Sequence, residues 1–402
     1  MPVSGHTGHT GHTGHTGHTG HTGGLNAPYR AGYFGNDYTA LPASTAVMAA
    51  LMNAREGIAG PWRTGKLMPR PSQADPECLD HLDAFPRGSV IDTELGKGLT
   101  VDVKSAPGAN PTARLVFFDF DAEGPPAKPE ELFHITAPDE TIFEKQLPYL
   151  DYYADLRSDR YDEIAIQMAD LITFYGAIGF LHPARTQYCI ELLHAALRLC
   201  VAVEFRIKHA FSCPRPVMLS PRIQPIIQTP THGTLPSGHA TEAFMLARLV
   251  VELFRLQFKG MSKVATEIDD AVEDFAGQVY RMASRIAINR TVAGVHYPVD
   301  SAAGAVLGTK IADYVISRVN LGGGQSGEFE PGAFNAQNYG EADFNPAIFL
   351  KLMAGDAVDG NTTNPYSPGS APVKLPLVNK QLNWIALQCQ HEMQRGLFQP
   401  AV

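Results

Sequence analysis

Between about residue 139 and residue 320, apolar side chains recur at the three-to-four spacing of α-helices, and this period constrains the fold more than any other feature. Asp159 to Ile178 predicts one helix. Pro183 suits the first position of a long helix running to about Ala210. His239–Phe258, Ser262 to about Arg290, and Pro298–Val319 predict three more. The last of these carries Ala302, Ala303, Gly304, Ala305 and Gly308, small residues that let two helices approach closely. The expected fold is mainly α, a helical bundle.

The flanks read differently. Residues 5–22 repeat Gly-His-Thr, with no apolar residue to build a core. Residues 1–24 therefore read as a disordered repeat, either a metal-binding purification tag or a natural low-complexity tail. Its histidines, His6, His9, His12, His15, His18 and His21, would bind nickel or zinc. Residues 25–138 are rich in Pro and Gly, with short alternating runs such as Leu115 to Phe120. They predict loops, a few short helices and a small β-hairpin wrapped around a catalytic bundle of residues 139–320. Residues 321–402 return to loops, with a short helix near Ala347–Met353 and an amphipathic one over Asn379–Arg395.

The chain has 402 residues and a hydrophobic content of 44%, ample for a sizeable core. Its net charge of -9 argues against a nucleic-acid partner or an anionic membrane surface. The longest uncharged apolar runs, Ala40 to Ala54 and Leu171 to Leu181, are too short for a membrane span. The N-terminus lacks a basic region followed by an apolar one, so cytoplasmic is the default expectation, with an exported form left open. The five cysteines show neither a CxxC pair nor metal-ligand spacing, and read as buried, reduced thiols.

Three segments carry chemistry. Lys208 is followed, after six intervening residues, by Arg215-Pro216 at the end of a long helix. Pro236-Ser237-Gly238-His239 opens the next helix. Arg290 is followed by His296 and then Asp300. Together they suit a tetrahedral oxyanion. Lys208 offers a point charge, and Arg215 and Arg290 offer planar forks. Gly238 lets its backbone N–H approach closely, Ser237 adds a hydroxyl, and the helix start adds its dipole. The two histidines, His239 and His296, provide the chemistry, with His239 placed on the first turn for proton transfer. Asp300, four residues after His296, is spaced to fix an imidazole tautomer.

The order and spacing of these segments resemble the superfamily that joins type-2 phosphatidic acid phosphatases and vanadium-dependent haloperoxidases. One position departs: Asn289 stands where the pattern has serine. The resemblance implies the helical fold of those haloperoxidases and acid phosphatases. It implies that His296 is the ligand to vanadium, or the nucleophile that takes up phosphate. His239 would be the general acid/base, and Asp300 would orient His296. Lys208, Arg215, Ser237, Gly238 and Arg290 would bind the equatorial oxygens.

Three features tilt the reading toward a peroxidase. The sequence shows none of the membrane spans of the lipid phosphatases. The N-terminal region is large, as in the haloperoxidases. The stretch Pro230-Thr231-His232 also resembles vanadium bromoperoxidases, which carry a histidine seven residues before the acid/base histidine. Without the resemblance, His232 reads as a loop histidine bonded to backbone. With it, His232 joins His239, Lys208 and Asp300 as a catalytic candidate. The implied cofactor is vanadate. The implied partners are hydrogen peroxide, a halide ion (bromide or iodide favoured) and small organic substrates, with a homo-oligomer as the expected assembly. A soluble acid phosphatase acting through a phosphohistidine is the alternative, and a non-catalytic oxyanion binder a third reading. Elsewhere, His182 and His194 read as structural and His209 as packing or surface. Arg281 and Arg285 read as salt bridging, and Phe205, Phe211, Phe244, Trp62 and Trp384 as packing. Glu267, Asp269, Asp270, Glu273 and Asp274 read as a solvated helix face.

Overall fold

The computed structural model describes residues 45–60, 75–120, 128–258, 265–322, 327–358, 363–375 and 379–395, with Thr45–Met48 and Ala265–Glu267 as backbone only. The Gly-His-Thr repeat, Trp62 and the expected helix start at Ser262 lie outside these residues, as does the side chain of Glu267. The chain is mainly helical. Its helices are α1 (Thr45–Ile58), α2 (Ala84–Gly96), α3 (Glu140–Tyr153), α4 (Arg157–Gln167), α5 (Ile172–Gly179), α6 (Gln187–Phe211), α7 (Pro216–Leu219), α8 (Gly238–Leu256), α9 (Ala265–Val292), α10 (Pro298–Val319), α11 (Pro346–Ala354) and α12 (Lys380–Gln394). Among the described residues no helix is long and apolar enough to cross a membrane.

The bundle is built around α8 and α10. Of α10, every residue except Asp313 is buried. The stripe of small residues explains the fit. A Cβ added at Gly304 would stand 2.7 Å from the Ser237 carbonyl oxygen, and one at Gly308 would stand 2.1 Å from that of Thr241. Here the two helix backbones approach too closely for any side chain. Helices α6 and α9 pack against α8 on other sides. A buried ion pair, Arg87 to Glu191 at 2.7 Å, fastens α2 to α6.

Two expected helix boundaries are corrected. Asp159 to Ile178 is not one helix but α4 and α5, separated at residues 168–171. Asp170 is the reason: its carboxylate accepts from the Thr173 amide at 3.1 Å and from the Thr173 hydroxyl, offering the backbone a local alternative to the helix. Pro183 does not open α6, which begins at Gln187. The His182 amide donates to Thr186 Oγ1 at 2.8 Å and the Ala184 amide to His182 Nδ1 at 3.1 Å, closing a separate turn first.

The strand content exceeds a hairpin. Strands β1 (Leu99–Lys104), β2 (Thr112–Phe117) and β3 (Glu130–Thr136) join β5 (Gly332–Asn335) and β6 (Tyr366–Pro368) in one sheet of order β1-β2-β3-β5-β6. Neighbours are antiparallel except β3 and β5, which run parallel. Segments on either side of the bundle thus pair with each other. A two-stranded ladder joins β4 (Glu328–Phe329) to β7 (Val373–Lys374).

Smaller expectations can also be placed. None of the five cysteines is in a disulfide; four are buried as expected, and Cys78 is half-buried. Asp269, Asp270, Glu273 and Asp274 are exposed, Trp384 and Phe244 are buried, and Phe205 and Phe211 are half-buried. His209 and His182 are exposed, and His194 is buried. Arg281 is exposed, and Arg285 pairs with Glu163.

The close contact of α8 and α10 predicts that Gly308→Ala destabilises the fold by about 1–3 kcal/mol, the usual cost of overpacking. Chemical denaturation measures it; an unchanged midpoint and slope would contradict the packing described.

Candidate active site

The three motif segments converge at one end of the bundle. Lys208 lies in the last turn of α6, Arg215 directly precedes α7, and Ser237 caps α8. Arg290 lies in the last turn of α9, His296 in the short connection to α10, and Asp300 in the first turn of α10. All six residues, with Gly238 and His239, are buried. The Ser237 amide donates to the Asp300 carbonyl at 2.9 Å, tying the starts of α8 and α10 together.

Asp300 Oδ2 is the hub. It accepts from Thr234 Oγ1 at 2.5 Å and from the Tyr297 amide at 3.0 Å, and it lies 3.0 Å from His296 Nδ1. Its other oxygen, Oδ1, is buried without a partner. Burial pushes the Asp300 carboxyl up to about 6, against the pull of Thr234, the Tyr297 amide and the nearby cations. On the far side of the imidazole, Arg215 Nη1 lies 3.1 Å from His296 Nε2 and donates to the Val295 carbonyl at 2.8 Å. A guanidinium can only donate. His296 Nε2 therefore presents its lone pair, and the proton sits on Nδ1, facing Asp300. Burial, then Arg215 and Lys208, hold the His296 pKa well below its ordinary value. The ring is a neutral imidazole, fit to act as a nucleophile or a metal ligand.

The cations around it are desolvated. Lys208 Nζ donates to the Thr234 carbonyl at 3.2 Å and to the Pro236 carbonyl. Burial, with Arg215 nearby, brings Lys208 down to about 8. Arg215 Nε donates to the His232 carbonyl at 3.0 Å and Nη2 to His232 Nδ1 at 3.1 Å. One guanidinium thus stands between two imidazoles. His232 is half-buried and sets its ring edge-to-face with Phe205, centroids 4.9 Å apart. Arg290 Nη2 donates to Gln167 Oε1 at 3.0 Å, while its Nε and Nη1 are buried with no partner. Burial brings its pKa down to about 9. His239 Nε2 lies 3.2 Å from the Gln167 carbonyl oxygen.

At the start of α8, the Ser237 hydroxyl accepts from the Ala240 amide at 3.4 Å. The amides of Gly238 and His239 belong to the first turn, where a helix offers no carbonyl partner of its own. The donor set is therefore cationic side chains and amides around one neutral imidazole. It fits an oxyanion such as vanadate or phosphate better than a bare cation: among the described residues no group of three or more His, Cys, Asp and Glu could hold a metal ion.

Three contributors escape the motif reading. Thr234 holds Asp300, although it sits within the Pro230–Thr241 stretch that was otherwise legible. Gln167 contacts both Arg290 and His239 from α4, where no motif marks it. Asn289, which the sequence marks only as a departure from the pattern, donates to Gln167 Oε1 at 3.0 Å and Glu163 Oε2 at 3.1 Å and accepts from Arg160.

The Lys208 ammonium is charged below about 8 and lost above it. Affinity for inorganic sulfate, whose own charge is constant over this range, should hold at neutral pH and fall as the pH rises through about 8. Equilibrium dialysis across that range checks it, and a flat profile would remove Lys208 from the anion site.

No curated protein matches the chain. Residues 190–320 match the family model described as PAP2 superfamily, a span that contains every motif residue from Lys208 to Asp300.

Proposed function

We propose that the chain is a vanadate-dependent peroxidase that oxidises a halide, bromide or iodide before chloride, with hydrogen peroxide. The net reaction takes halide, hydrogen peroxide and a proton to hypohalous acid and water, and the hypohalous acid halogenates small organic compounds. The PAP2 superfamily includes both phosphatases and haloperoxidases. The observation that carries the choice is His232. This histidine, whose position resembles that of bromoperoxidases, is bonded to the same Arg215 guanidinium that reaches His296 Nε2.

His296 Nε2 would be the protein ligand to vanadate, with Lys208, Arg215, Arg290, Ser237 and the Gly238 amide around its oxygens. Bound vanadate supplies a Lewis acid that activates peroxide without changing its own oxidation state. The protein's part is proton handling and charge. Asp300 keeps the His296 proton on Nδ1 and so leaves Nε2 free to bind. His239 donates its Nε2–H to the Gln167 carbonyl, which leaves Nδ1 as the basic atom to accept a proton from peroxide. Lys208 and the two arginines hold negative charge in a site with little water to screen it. His232 hydrogen-bonds Arg215 on the side away from His296 and would set the charge felt by the halide.

The neutral, Asp300-held His296 also suits attack on phosphorus, so a phosphatase acting through a phosphohistidine is the second reading. There His239 would protonate the leaving oxygen. Halogenation assays with bromide, iodide and chloride, each with peroxide, before and after vanadate addition, decide between them. Vanadate-dependent turnover is expected; phosphoester hydrolysis without it would reverse the choice. His296→Ala should abolish vanadium retention, and stoichiometric metal surviving in that variant would count against its ligand role. His239→Ala should keep vanadate binding while losing about 10²–10⁴ in turnover, the usual worth of a general base. Equal collapse of binding and turnover would undermine that role.

A further inference from the structure

Gln167 lies outside the matched span and outside every motif, yet it touches both sides of the site. It is the last residue of α4 and is fully buried. The break between α4 and α5 gives it this position. Asp170 diverts the chain at residues 168–171, so the Gln167 carbonyl is not spent on continuing the helix and is met by His239 Nε2 at 3.2 Å. Its side-chain oxygen accepts from Arg290 Nη2 and from Asn289 Nδ2, both at 3.0 Å. Two donors on one atom fix which end of the carboxamide is oxygen. The Nε2 group is thereby turned away from both, and it is buried with no partner. Arg290 Nε and Nη1 are in the same state on the adjoining side chain.

We propose that Gln167 is a further residue of the oxyanion site: it orients Arg290 and His239 and donates its own Nε2–H to an oxygen of the bound oxyanion. Three buried N–H groups on two side chains in contact call for an acceptor, and a tetrahedral oxyanion has the oxygens to meet all of them. Asn289, the one departure from the superfamily pattern, takes part as the second donor that locks the carboxamide. This inference rests on the oxyanion site above but not on the choice between peroxidase and phosphatase.

The test is binding of orthovanadate, and separately of inorganic sulfate, to the full chain and to Gln167→Met, which keeps the length of the side chain but neither polar atom. The variant is expected to fold with a lowered Tm, because Arg290 Nη2 and Asn289 Nδ2 lose a shared acceptor, and to bind both anions at least about tenfold more weakly. Wild-type affinity in Gln167→Met would overturn the proposal and leave the proposed function standing. A wild-type chain that binds neither anion would overturn the oxyanion site and Gln167 with it. Should Gln167→Met fail to fold, the side-chain amide resonance of Gln167 in the wild type decides. Its movement on sulfate titration supports the donor role, and a stationary signal overturns it.

Discussion

The contact on which the site depends is the close approach of α8 to α10. Gly304 and Gly308 remove side chains where the two backbones meet, beside the carbonyls of Ser237 and Thr241. That approach lets the Ser237 amide reach the Asp300 carbonyl. The start of one helix, with its free amides, is thereby set beside the first turn of the other, with its carboxylate. His296 hangs from this junction through Asp300, and Arg215 closes on His296 from the opposite side.

A second constraint is the cost of burying charge. Lys208, Arg215 and Arg290 are all buried, and burial is the largest influence lowering each pKa. Asp300 offsets part of this, as do Glu204 and Glu242, whose carboxylates act to raise Lys208. The offset is incomplete in hydrogen bonds, since two N–H groups of Arg290 and one oxygen of Asp300 are left without partners. Groups held in that state are costly to the fold alone, and they would need no reorganisation to receive the proposed oxyanion.

The long helices were legible because burying one face imposes a period on the sequence, and α8, α10 and α12 fall within a residue or two of the limits that period suggests. The motif residues were legible because the proposed oxyanion site would demand particular side chains at helix ends. What escaped has a common cause. The break after Gln167 depends on whether the Asp170 carboxylate captures Thr173, a local competition that periodicity does not register. The sheet of β1, β2, β3, β5 and β6 depends on pairing between residues roughly two hundred positions apart, which no local window contains. Asn289 and Thr234 look unremarkable along the chain, and their roles exist only once Gln167 and Asp300 lie beside them.

The sequence by itself determined the mainly α architecture, the small-residue seam of α10, and the identity of the cations, the serine-glycine helix start and the histidines. Each of these is a property of residue type and short-range spacing. Tertiary structure decided how those groups are shared. It set one guanidinium between His232 and His296 and placed the Asp300 carboxylate against His296 Nδ1. It also brought Gln167 from a separate helix to hold Arg290 and His239. Hydrogen-bond partners in a buried site are chosen by distances of about 3 Å between elements far apart in the chain, and such distances exist only after packing.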